Sequence, residues 1–317
     1  QFYHLVFTAR APTGGMWQCR FLGADNLEIS ADHWTSFAAS ADWHSYESVI
    51  MARPNSKWAK IAWMLNNGPC ELAGVSLTPI THGETFAWIQ RVAADLPPIK
   101  LDLPPAAERH RFLAQTYERL RAGGDFHLVM LGDSIINDTA NSMFHASLME
   151  VFPKARIKVT QSVRSGTGMP WYALENRIQS YVIDQHPDML IIGGISHAYN
   201  AAAVFSVIEQ VRAILPKLDI LVLSGTITEV GMGPKFFKTG IPAAIAAQEQ
   251  AKELEYRTDL AAGCAQRQVA YFDLRAAWEA HLQASGKPRS WFLRDYIHGN
   301  DRGRVLTGRL LSTWLTP

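Results

Sequence analysis

The chain has 317 residues, is 48% hydrophobic and 19% charged, and carries a formal net charge of +1. That length is more than one average domain and enough for a large core. The near-zero charge, with lysines and arginines scattered rather than clustered, excludes a strong pull toward nucleic acid or an anionic membrane. No apolar run reaches the ~18 residues that a membrane helix needs, and no basic-then-apolar leader follows Gln1. The three cysteines, Cys19, Cys70 and Cys264, lack the CxxC spacing of a zinc or redox motif. Cys19 and Cys70 fall within one expected domain and are open to pairing; the alternative is three buried thiols.

Residues 1–80 are rich in aromatics and read as short alternating segments. Tyr3, Leu5 and Phe7 alternate with His4, Val6 and Thr8, a strand pattern. Ile61, Trp63 and Leu65 form a second such run and Leu72–Leu77 a third, with turn clusters at Pro12–Gly15, Pro54–Ser56 and Asn66–Pro69 between them. A small antiparallel β-sandwich over 1–82 is expected, either carbohydrate-binding or purely packing. Residues 83–124 are expected to hold a linker and a leading helix. Pro97-Pro98 and Pro104-Pro105 mark a connector over 81–105. Ala106–Arg121 follows as a helix that ends in Gly123-Gly124.

From 125 to 317 strands and helices alternate. The apolar runs are His127–Leu131, Ile157–Val163, Met189–Ile192, Ile220–Leu223 and Val269–Leu274. Helical stretches are expected near 138–151, 174–185, 201–214 and 242–262, with a last one over 303–314. This order predicts an α/β domain: a five-stranded parallel sheet with helices on both faces.

In such a sheet, function sits beyond the carboxyl ends of the strands. Gly132-Asp133-Ser134 follows the first strand and opens a helix, where unpaired backbone N–H groups favour an oxyanion. A serine there is also an ordinary N-cap. Gly166 and Gly168 follow the second strand, and Gly194-Ile195-Ser196-His197 the third. Asp295-Tyr296-Ile297-His298 opens the last helix. A histidine takes a serine proton when an aspartate orients its ring. Asp138 and Glu229 also follow strand ends, and a carboxylate pair there would suit glycosidic chemistry.

These blocks resemble the SGNH (GDSL-like) hydrolases over roughly 125–315. Gly132-Asp133-Ser134 matches the nucleophile block, Gly166 or Gly168 the glycine block, and Asp295-x-x-His298 with Asn300 and Gly303 the final block. The resemblance implies Ser134 as nucleophile, Asp295 and His298 as its base pair, and an oxyanion hole of Ser134, Gly166, Gly168 and Ser196. It implies no metal or organic cofactor. One block departs: the family's third block is Gly-x-Asn-Asp, and Ser196 and His197 stand where the Asn and Asp belong. Ser196, or Asn200 folding back, is expected to supply the donor instead.

Asp133, Arg164, Trp171, His197 and Glu229 are expected substrate contacts, with Trp171 a stacking wall. The first 80 residues resemble part of a galactose-binding-like jelly roll, through Tyr3–Arg10, Trp43–Glu47 and Leu72–Leu77. Trp17, Trp34, Trp43, Trp58 and Trp63 are its candidate sugar stackers, most of them expected in the core. The expected function is a serine esterase that removes O-acetyl or other acyl groups from a carbohydrate. The alternatives are a glycoside hydrolase or lyase on the same fold and a decayed glycan-binding protein. A secreted or periplasmic location is expected by analogy alone.

Overall fold

The computed structural model describes residues 1–23, 33–53, 56–65, 68–227 and 243–317. Glu229, parts of the turn clusters at 54–55 and 66–67, and the first residue of the helix expected from 242 lie outside the described residues.

Six antiparallel strands come first: β1 (Phe2–Ala11), β2 (Gly15–Gly23), β3 (His33–Phe37), β4 (Ser40–Met51), β5 (Ser56–Leu65) and β6 (Glu71–Ile80). They form two three-stranded sheets, ordered β4-β1-β6 and β3-β2-β5. A full jelly roll has about eight strands, so the six described ones make a reduced sandwich. The two-residue period sends Leu5, Phe7, Ala9 and Ala11 of β1, with Trp17, Cys19 and Phe21 of β2, into one small core. Cys19 and Cys264 are buried and Cys70 is half-buried, and Cys19 and Cys70 are not joined in a disulfide.

The second part is a parallel sheet of β7 (Gly124–Gly132), β8 (Ala155–Val163), β9 (Met189–Ile192), β10 (Asp219–Leu223) and β11 (Ala270–Phe272), in the order β11-β10-β9-β7-β8. The inner strands β9 and β10 are buried along their whole length because both faces are covered, whereas the edge strand β8 exposes Arg156 and Lys158. Leu128 and Met130 of β7 join one core while Val129 and Leu131 join the other, and β9 and β10 alternate in the same way.

The helices are α1 (His82–Ala94), α2 (Ala106–Arg109), α3 (Ala114–Ala122), α4 (Ser134–Ala140), α5 (Phe144–Val151), α6 (Met169–Tyr172), α7 (Arg177–Tyr181), α8 (Ala201–Ile214), α9 (Ala243–Gln266), α10 (Leu274–Ser285) and α11 (Asp301–Leu315).

The connector expected over 81–105 instead contains α1. A reciprocal cap between Thr81 and Glu84 starts that helix, and Trp88, Ile89 and Ala93 bury its inner face. The single helix expected over 106–121 is two, separated where His110 turns to stack on Tyr117 and to bond the Trp314 carbonyl. The helix expected over 138–151 is likewise broken, at Asn141–Met143. Met143 is left-handed there, and Gly308 of α11 passes so close to Ser142 that a Cβ would lie 2.8 Å from its carbonyl.

Packing crosses the boundary expected near residue 82. Val49 and Met51 of β4 belong to the core of the parallel sheet. Arg304 of α11, buried, donates to the Trp34 carbonyl at 2.9 Å and meets the His33 ring at 2.7 Å.

Burial depresses two histidines. His33 is held well below its ordinary value by desolvation, then by the charges of Arg304 and Arg294. His145, stacked on Phe2, is brought down to about 3 by desolvation first, then by the positive charges of the chain's amino terminus and His82. Both rings fold neutral, whereas the unfolded chain binds protons near 6.5. The stability they preserve is complete above that pH and is lost as pH falls, by up to ~1.4 kcal/mol per unit for each ring. Urea midpoints measured across this range should drop below about pH 6.5, and His145→Phe should flatten the drop. Identical pH dependence in the variant would contradict this assignment.

Candidate active site

The winding of the parallel sheet reverses at β7. The chain passes from β7 to β8 on one side and later returns to β9 on the other. The loops leaving these neighbouring strands diverge at that point and open a crevice. Ser134 follows β7, Gly166 follows β8 and Ser196 follows β9, and all three line one cleft of about 440 Å³.

Asp133 builds the floor. Its fully buried carboxylate caps α4 through the Ile135 N–H at 2.9 Å and accepts the N–H groups of Ile195 and Ser196 at 2.7 and 2.6 Å. The nucleophile turn and the loop after β9 are thereby joined through one side chain. Asp133 was expected among the substrate contacts; every hydrogen bond it makes here goes to backbone, and it holds the loops in place.

The last motif block lies on a loop pinned by a bridge between Leu293 and Gly299. Asn300 caps α11 by accepting the Gly303 N–H at 3.1 Å and ties its amide to the Trp291 carbonyl at 3.0 Å. A Cβ on Gly303 would sit 2.2 Å from the Phe292 carbonyl, which accounts for a glycine at that position.

On this loop Asp295 accepts the N–H groups of Ile297 and His298 at 2.7 and 2.6 Å. Its other oxygen faces His298 Nδ1 at 2.8 Å, and His298 Nε2 lies 2.9 Å from Ser134 Oγ. Burial alone would raise the Asp295 carboxyl. The bond from the His298 ring, the ring's charge and the two backbone N–H groups outweigh it and hold the carboxyl below its usual range. An ionised Asp295 favours the tautomer in which Nδ1 carries the proton and Nε2 accepts from the serine hydroxyl.

The glycine blocks separate into two roles. Gly166 is left-handed, lines the cleft and has open space where a Cβ would stand. Gly168 does not line it; a Cβ there would lie 1.8 Å from the Ser196 carbonyl, so its smallness permits the contact between the loops after β8 and β9. Among the described residues, the N–H groups of Ser134 and Gly166 have no partner, whereas that of Ser196 is taken by Asp133. Only the Ser196 hydroxyl remains to face the cleft.

Several expected contacts lie elsewhere. His197 is buried and its Nδ1 accepts the Met169 N–H at 3.0 Å. Desolvation lowers its pKa, against the Asp133 charge and a bond to the Gly193 carbonyl. Asn200 does not fold back; it caps α8 through the Ala203 N–H. Arg164 and Trp171 pack on each other, with Arg177 also over the indole at 3.6 Å, and neither lines the cleft. Asp138 is buried in a two-pronged pair with Arg294, at 3.0 and 3.1 Å. That removes it from the carboxylate chemistry weighed for a glycosidase.

Of the opposite wall, sequence reading named only Trp34, as one of five candidate sugar stackers. Gln18, Trp34 and Met64, from the β3-β2-β5 sheet, line the cleft together with Asn137. Trp34 meets the His298 ring edge-on at 5.4 Å, and the Arg294 guanidinium lies 4.1 Å from its ring centre. Asn137 was within reach of a sequence argument, since three residues after Ser134 is the same helix face. Gln18 and Met64 carried no comparable signal.

No family model matches the chain, and no curated protein matches it. Solved structures do. A two-domain esterase active on acetylated mannans is 15% identical, with a TM-score of 0.49 over 65% of this chain and 52% of that one. A catalytic mutant of Axe2, an acetylxylan esterase from Geobacillus stearothermophilus, is 17% identical, with a TM-score of 0.45 over 62% and 96%. A Clostridium thermocellum family 3 carbohydrate esterase is 13% identical, with a TM-score of 0.42 over 61% and 100%. The chain thus spans about half the length of the mannan esterase. The layout itself, a five-stranded parallel sheet with helices preceded by small antiparallel sheets, is the one expected from the sequence.

Two substitutions test the scaffold. Asp138→Asn leaves a buried guanidinium without its counter-charge and should lower unfolding stability by ~3–5 kcal/mol in a denaturant titration. A loss under about 1 kcal/mol would mean that the pair is not a structural tie. Gly168→Ala should cost ~1–3 kcal/mol or more through overpacking, exceeding the ~1 kcal/mol of left-handed strain from Gly166→Ala. Equal thermal shifts for the two would refute the division of roles.

Proposed function

We propose that the chain is a serine esterase of SGNH type that removes acyl groups, acetyl foremost, from a carbohydrate. The observation that carries this reading is the continuous hydrogen-bond line from Asp295 through His298 to Ser134, at the floor of an open cleft. The serine hydroxyl is a weak nucleophile until a base removes its proton, and the His298 ring lies within hydrogen-bond distance to do so.

In this mechanism Ser134 Oγ attacks the ester carbonyl as its proton passes to His298 Nε2. The tetrahedral oxyanion is met by the N–H groups of Ser134 and Gly166 and by the Ser196 hydroxyl. His298 returns the proton to the departing sugar hydroxyl, leaving an acyl-serine. Water, deprotonated by the same ring, releases the acid and restores the serine. Asp295 keeps the ring oriented throughout. The carbohydrate reading is supported by Trp34 in the wall beside His298, an apolar ring face with the polar Gln18 next to it.

The test is acetate release from p-nitrophenyl acetate and from acetylated plant and bacterial glycans. Ser134→Ala and His298→Ala should each lose at least ~10³-fold, and Asp295→Asn about 10⁴-fold by favouring the wrong tautomer. An inert wild type, or an active Ser134→Ala protein, would overturn the reading.

A further inference from the structure

The side of the β3-β2-β5 sheet that walls the cleft continues well past it. Trp17, Cys19 and Phe21 of β2 point into the sandwich core, so Met16, Gln18, Arg20 and Leu22 share the other face. The antiparallel register places Trp34 and Ala62 beside Gln18, Met64 beside Met16, Lys60 beside Arg20, and Trp58 beside Leu22. Gln18, Trp34 and Met64 already face Ser134 across the cleft. The same surface therefore leads, rung by rung, from the cleft through Arg20 and Lys60 to Trp58.

Trp58 is 71% exposed, the most exposed large apolar side chain among the described residues. Leu22 beside it is 42% exposed. A bare indole on an edge strand has a cost in water, and it marks an interaction site when it adjoins a cleft. From Gln18 to Leu22 the strand rises ~13 Å, a span of about two to three sugar rings.

We propose that this sheet face is a binding track for an acylated polysaccharide, with Trp58 as a distal platform on which a sugar ring stacks while another unit of the same chain presents its ester to Ser134. The proposal rests on the carbohydrate reading above and deepens it. It assigns the N-terminal sheet a role in holding polymer that small esters do not use. Lys60, exposed, lies between the two ends, where its ammonium group meets sugar oxygens.

The experiment is native gel electrophoresis of the full chain through soluble acetylated glucomannan and acetylated xylan, together with KM on the same polymers. Trp58→Ala should weaken retardation and raise KM by roughly tenfold, with kcat unchanged. Trp58→Tyr should restore both, and Trp43→Ala, an exposed tryptophan on the other sheet, should retain wild-type retardation. Retardation needs no turnover, so it reads the track even if no ester is cleaved. A wild type that migrates freely in both polymers would overturn the track. So would equal retardation of wild type and Trp58→Ala, or equal loss in Trp43→Ala. Concentration-dependent self-association abolished by Trp58→Ala would instead assign this face to a second copy of the chain.

Discussion

A single buried carboxylate organises the carboxyl end of the parallel sheet. Asp133 satisfies three backbone N–H groups from two loops that are 60 residues apart in sequence, and without them its charge would be costly to bury. Its presence dictates its surroundings. A Cβ on Gly194 would lie 2.6 Å from its oxygen, and one on Gly132 2.1 Å from the Gly193 carbonyl. The Gly-Asp-Ser turn and the Gly-Gly turn are therefore two halves of one packing unit. Ser134 is aimed by that unit before any base is considered.

The departure in the third block acquires a physical sense here. The backbone of Ser196 is held by Asp133, so the residue at this position contributes only its short side chain to the cleft. His197, expected among the substrate contacts, instead turns inward and accepts the Met169 N–H beyond the glycine loop. The loops after β8 and β9 are thus stitched together by a buried imidazole and by the close approach at Gly168. The loop after β9 thus has a scaffolding function.

The second organising element is cationic. Arg294 pairs with Asp138 and lies over Trp34, and Arg304 bonds the Trp34 carbonyl and the neutral His33 ring. Two arginines from the last motif loop and the last helix thereby dock an N-terminal strand against His298. Strand β3 is short, yet it supplies the aromatic wall of the site because buried guanidiniums hold it there. The sandwich is consequently part of the cleft as well as a neighbour of it.

Much of this was legible in the sequence, and the limit has a physical cause. Apolar runs buried on both faces announce parallel strands, so all five were read at or near their true positions. Met189–Ile192 and the helix over 201–214 match the reading residue for residue. Ser134, Asp295 and His298 carry their signal in a strand-end turn and in the final block, and the fold brings their side chains within hydrogen-bond distance of one another. Helix α1 was missed because prolines beyond it dominated the reading of its capping box, and α4 and α5 were merged because the break at Met143 answers to Gly308, far along the chain. Periodicity by itself determined the two sheet types and the succession of strands and helices along the chain, because the repeat of two and the apolar run buried on both faces are local properties. Tertiary structure decided which polar groups face the cleft and which turn to backbone. Asp133, Asp138 and His197 are as polar as any ligand contact, but they find partners on loops distant in sequence, and only the folded packing specifies those.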